Sequence, residues 1–190
     1  FEARGDFTAT RRVYERVYAD QLRALGPTDR DTLRTRMHLG GILSDSGELA
    51  SARALLEPSV AEFEAALGTD HPLTLSMLGF LAVVLKRQDD LASARALEER
   101  LVHEHRRIMG EEHPETLLRG QQLARTMQMQ GELDGAARLA EATLEAQRRV
   151  LGPTHPLTLQ TQHALAVTRI MQGNLDAAQP LMVETLAALS

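Results

Sequence analysis

Leu151-Gly152-Pro153-Thr154-His155-Pro156-Leu157-Thr158-Leu159 is the stretch on which the reading of this chain turns, because it recurs. Leu67-Gly68-Thr69-Asp70-His71-Pro72-Leu73-Thr74-Leu75 and Met109-Gly110-Glu111-Glu112-His113-Pro114-Glu115-Thr116-Leu117 follow the same plan. Leu25-Gly26-Pro27-Thr28-Asp29-Arg30-Asp31-Thr32-Leu33 is a worn copy. Their glycines, at 26, 68, 110 and 152, are spaced by 42 residues. A second marker, Gly5, Gly47, Asp89, Gly131 and Gly173, keeps the same step. Two landmarks in strict step along the chain indicate a tandem repeat.

The residues of this stretch describe a helix stop followed by a helix start. Gly68 supplies the left-handed conformation that ends a helix. Pro72 suits the first position of the next helix, where its missing N–H costs nothing. Asp70 or His71 can accept the unpaired N–H groups in front of it. Thr74, one turn in, can bond back to the backbone or the neighbouring loop. In the worn copy, Asp31 is expected to take the capping role.

Between these loops a Leu-Gly or Leu-Ala step recurs: Leu39-Gly40, Leu81-Ala82, Leu123-Ala124 and Leu165-Ala166. A Gly-x-Leu-x-x-Ala turn follows at Gly47 to Ala52, Gly131 to Ala136 and Gly173 to Ala178. Together these features resemble the tetratricopeptide repeat (TPR) in its long, 42-residue form, familiar from kinesin light chains and bacterial multi-repeat regulators. The resemblance implies an all-α fold, an α-solenoid in which antiparallel helix pairs stack into a right-handed superhelix. The first helix of each pair, A, lines the concave side and the second, B, the convex side.

About nine helices are expected in a single array over residues 1–190. Residues 1–25 form a partial repeat, with Gly5 marking a turn before a B helix over 6–24. Helix pairs follow at 26–67, 68–109, 110–151 and 152–190, the first of them with its B helix at about 48–66. The inward stripe of the first B helix reads Phe7, Val13, Tyr14, Val17, Tyr18, Leu22 and Leu25 at helical spacing. Both ends fall inside a repeat, so the chain is read as a fragment of a longer protein. Small residues share two registers, at 40, 82, 124 and 166 and at 52, 94, 136 and 178, and should let helix backbones approach.

Composition narrows the function. The 190 residues carry a net charge of −5, no cysteine and no tryptophan. That charge argues against non-specific nucleic-acid binding. The longest apolar run, residues 78–85, is too short to span a bilayer. Absence of cysteine excludes disulfides and thiolate metal sites and fits a reducing compartment, with the cytoplasm as the expected location.

Seven histidines raise the question of a metal. His71, His113 and His155 recur once per repeat and cannot converge on one ion with ligand bonds of about 2.0–2.1 Å. No metal and no cofactor is expected. No Gly-rich phosphate loop or nucleophile elbow is present, so no enzyme and no catalytic residue is expected.

What remains is the groove that the resemblance implies. Its A-helix positions are Arg34, Met37, His38 and Gly41, then Ser76, Gly79, Phe80, Val83 and Arg87. Leu118, Gln121, Gln122, Arg125 and Met129 follow, then Gln160, His163, Ala164, Val167 and Met171. Kinesin light chains carry Asn-Asn before the Leu-Ala step to grip a peptide backbone. Here only Gln121-Gln122 keeps amide chemistry. Gly41 and Gly79 are expected to leave gaps beside Phe80 and Val83, rimmed by Arg34, Arg87 and Arg125. The leading reading is a non-catalytic scaffold that binds a protein or peptide in this groove. Alternatives are a sensor arm of a bacterial signal-transducing NTPase or transcriptional regulator, and an end-to-end self-assembly module.

Overall fold

A computed structural model describes the backbone of residues 2–189 and the side chains of residues 8–188. Every regular element among them is a helix. They form two compact units, residues 1–97 and 98–190, each an all-α stack of antiparallel helices of the solenoid type.

The first unit holds α1 (Glu2–Ala24), α2 (Arg30–Asp45), α3 (Leu49–Leu56), α4 (Ser59–Leu67), α5 (Pro72–Arg87) and the start of α6 (Leu91–Met109). The second holds the remainder of α6, α7 (Pro114–Met129), α8 (Leu133–Val150), α9 (Pro156–Met171) and α10 (Leu175–Leu189). The A helices are α2, α5, α7 and α9. The B positions are α1, α3 with α4, α6, α8 and α10. Nine helical positions are therefore filled among the described residues, one of them by two segments.

The stop-and-start chemistry is what the loop residues dictate. Gly26, Gly68, Gly110 and Gly152 all have positive φ, between 90° and 98°. His71, His113 and His155 are the N-caps of α5, α7 and α9, and each Nδ1 accepts the backbone N–H two residues on, at 3.1–3.2 Å. An imidazole that accepts at Nδ1 carries its proton on Nε2. The capping role in the worn copy falls to Asp29, not Asp31. Asp29 Oδ1 accepts from the N–H of Asp31 and of Thr32, at 2.9 and 3.4 Å. Asp29 stands where the repeat places His71, so the position kept its job while changing its residue. Thr74 Oγ1 donates to Phe63 O at 3.5 Å, tying α5 back to α4.

Two expected features are replaced. No turn interrupts the chain at Gly5, since α1 runs through it from Glu2 to Ala24. Four residues cannot form a stable helix alone. Continuing the hydrogen-bonded ladder through one glycine costs only about 1 kcal/mol. The B helix expected over 48–66 breaks into α3 and α4 at Pro58. Proline lacks the N–H for the i−4 carbonyl and its ring crowds that carbonyl. Ser59 repairs part of the gap by donating Oγ to Leu55 O at 2.6 Å.

Packing uses the small residues as spacers. Ala52, Ala94, Ala136 and Ala178 are all buried, as are Gly40, Ala82, Ala124 and Ala166. A Cβ added at Gly40 would overlap the Leu56 side chain. In the first unit the core is Leu33, Met37, Leu39, Leu43, Leu56, Phe63, Met77, Leu81, Val84 and Leu85 with Ala52 and Ala94. In the second, Ala124, Ala137 and Ala140 gather with Leu144 and Leu165. Asp89 fills the turn-glycine position with φ 64°, a conformation aspartate tolerates better than most residues. The stripe expected on α1 is only half used. Tyr14 and Tyr18 pack on the core, whereas Val13, Val17, Leu22 and Leu25 are exposed because α2 covers one side of α1 only. Phe7 lies outside the described side chains.

Two substitutions test this packing by chemical denaturation. Ala136→Leu at a position 1% exposed should lower stability by about 1–3 kcal/mol through overpacking, while Ala142→Leu on the exposed side of α8 stays within about 0.5 kcal/mol. His155→Ala should cost about 1 kcal/mol through loss of the α9 cap, and His155→Asp should retain most of it.

Candidate functional site

On the A helices of the first unit, one face stays open. Arg34 and His38 are exposed on α2, and Val83 and Arg87 on α5, with Ser76 and Phe80 half-buried between them. Met37 does not belong to this face. It is 4% exposed and sits in the core, because one residue of shift on a helix turns a side chain by about 100°. The gap expected at Gly41 is closed by Phe80. A Cβ built on Gly41 would lie 2.7 Å from Phe80 Cε1. Tyr14, His38 and Phe80 form an edge-to-face ladder with centroids 6.3 and 6.4 Å apart.

The two arginines expected at the site in this unit are engaged. Arg34 pairs with Asp31 at 2.9 Å. Arg87 donates to the Ser44 carbonyl and, at 2.9 Å, to Ser44 Oγ. Arg87 thus joins the end of α5 to the end of α2 and acts as a brace rather than as a waiting hand for a carboxylate. Arg53 links α3 to the start of α6 through Asp90 at 3.0 Å. The Asp90 carboxyl is held below the usual carboxylate range, first by the Ser93 side chain and backbone N–H and then by Arg53.

In the second unit the open faces of α7 and α9 border a groove of about 690 Å³. Of the residues expected at the site, Gln121, Arg125, Gln160, His163, Ala164 and Val167 line it. Leu118, Gln122, Met129 and Met171 do not. Gln122 instead accepts from Arg119 at 3.1 Å, and Met129 is exposed beyond the groove. The groove also draws on residues outside the expected set: Gln128 of α7, Thr154 and Pro156 of the linking loop, Leu159 of α9, and Thr185 and Ala188 of α10. In the sequence, loop geometry alone accounts for Thr154 and Pro156. Thr185 and Ala188 lie on a B helix, a side where the repeat register gives no reason to look.

The chemistry of the groove follows from this set. Apolar atoms make up most of its exposed lining. Arg125 is exposed, and no hydrogen bond or ion pair engages it among the described residues. Gln128 is partly spent, donating Nε2 to Met171 Sδ at 3.5 Å. Gln121 Oε1 is buried without a donor. Among the described residues no cluster of histidine, aspartate and glutamate could hold a metal ion, and the three loop histidines spend Nδ1 on helix caps.

The sequence profile of the family described as Tetratricopeptide repeat matches residues 31–102 and 115–190. This chain belongs to the tetratricopeptide repeat family. Among solved structures, the TPR chain is similar to a Podosopora anserina kinesin-light-chain-type protein with nearly identical TPR-like repeats. The two are 28% identical over 97% of this chain and 88% of that one, with a TM-score of 0.88. BtubC (BKLC) from P. vanneervenii is 15% identical, over 97% and 71% of the two chains, at a TM-score of 0.73. MamA is 18% identical, over 98% and 91%, at 0.66. The latter two show a shared TPR fold. Comparison with curated protein sequences finds no match.

The two arginines should behave oppositely. Arg87→Ala removes the brace to Ser44 and should lower stability by about 1 kcal/mol. Arg125→Ala should leave the unfolding midpoint unchanged, because nothing in the fold leans on it.

Proposed function

We propose that this TPR chain is a non-catalytic scaffold that holds a protein or peptide against the open faces of its A helices. The observation that carries the reading is the set of side chains the fold leaves exposed there. The B helices α3, α6, α8 and α10 pack their small residues inward, and the loop histidines are consumed as caps. By contrast Val83 stays exposed on an A helix of the first unit and Met129 and Met171 on A helices of the second, as do His38 in the first and Gln160, His163 and Arg125 in the second. Exposed apolar groups interleaved with polar ones and arginine are the make-up of a recognition surface. Family membership supports the same reading, since protein-interaction scaffolds populate the fold.

The partner is not nucleic acid in this reading, given the net charge of −5. No described helix is long and apolar enough to cross a membrane. Absence of cysteine suits a reducing compartment such as the cytoplasm.

Site-specific photocrosslinking tests the choice of face. A benzophenone amino acid placed at Val83 or Gln160 should trap a discrete protein partner in cells of the source organism, and the same group at Ala54 or Ala142, on B helices, should not. Crosslinks from the B-helix positions alone would move the partner to the other face.

A further inference from the structure

The groove beside α9 has features that a polypeptide partner does not require. Its volume of about 690 Å³ falls within the roughly 300–1,000 Å³ of small-molecule sites. Pro156, Leu159, Ala164, Val167 and Ala188 give it an apolar floor, and none of its lining residues is a carboxylate.

Arg125 is the one arginine in its lining. The chain carries more acidic than basic residues, 26 against 21, and several arginines of the second unit have found acids, whereas Arg138 of α8, like Arg125, has none among the described residues. Arg119 pairs with Glu115 at 3.4 Å, Arg148 with Glu184 at 2.7 Å and Arg149 with Glu112 at 2.6 Å. Arg169 pairs with Glu141. No acid reaches Arg125 among the described residues, although it borders an apolar surface where an anion would be attracted more strongly than in open water. One guanidinium matches one negative charge, and its planar fork suits a carboxylate held by two parallel hydrogen bonds. Gln128 and Gln160 flank the groove with neutral amides and add no charge.

We infer that this groove binds a small amphipathic monoanion: an aryl or medium-chain acyl body carrying a single carboxylate. The carboxylate lies on Arg125 and the body covers Leu159, Ala164 and Val167. This goes beyond the protein-binding reading and does not depend on it. It gives the second unit a ligand of its own, placed so that binding changes the charge presented by α7.

The test uses the full 190-residue chain, labelled with 15N, and two probes, 4-phenylbutyrate and octanoate, each beside its neutral primary amide. Backbone shifts should saturate and cluster around Arg125, His163 and Val167. Each acid should bind about tenfold more tightly than its amide. Arg125→Gln should erase that difference and leave amide binding unchanged, with the spectrum elsewhere unaltered. Equal affinity of acid and amide overturns the inference, as does unchanged acid binding in Arg125→Gln. So does absence of saturable binding by either acid up to about 10 mM. A blocked Ala-Leu-Glu-Leu-Ala peptide forms the last arm. If it alone perturbs these amides and neither acid does, the small-ligand inference falls and the polypeptide reading stands.

Discussion

Close approach of helix backbones is the constraint from which the rest of this structure follows. Two registers of small residues, one on each helix of a pair, remove the side-chain bulk that would hold the backbones apart. Gly40 shows how tight the fit is, since a single methyl there would meet Leu56. Ala136, Ala137 and Ala140 do the same for the second unit. Packing of this kind is unforgiving of volume in either direction. It therefore fixes the spacing of the pairs, and with it which A-helix positions are left facing outward.

The loops serve that seam. A helix can be laid against its neighbour only if the chain reverses at the right residue, and Gly-x-x-His-Pro encodes the reversal in full. The glycine ends one helix, the proline opens the next, and the imidazole closes the exposed amides between them. Because His71, His113 and His155 are occupied in this way, a pattern that could suggest metal binding becomes part of the frame. Asp29 shows that the position is selected for accepting hydrogen bonds rather than for imidazole itself.

Legibility in the sequence differed by level. The all-α repeat fold could be read because glycine, proline and alanine act through the backbone, where local chemistry decides the outcome. The break at Pro58 was equally local and lay open to the same reasoning. Gly5 is different, because a glycine bends a helix only when the flanking segments can each stand alone. At the site, register named which residues share a face but not what they touch. It could not show that Phe80 closes the space over Gly41, that Arg87 is turned onto Ser44, or that Met37 lies one position too far round the helix. Thr185 and Ala188 enter the groove through packing of α10 against α9, which no 42-residue period records. That Arg125 borders a groove with no carboxylate in its lining is visible only in three dimensions.

Native-state hydrogen exchange on the full chain tests the central claim, that one close-packed seam is copied from pair to pair. Amides of Leu81, Leu123 and Leu165, one per repeat in the middle of successive A helices, should be among the slowest to exchange, and protection should rise and fall with a 42-residue period. Protection concentrated in a single stretch, or distributed without that period, would contradict it.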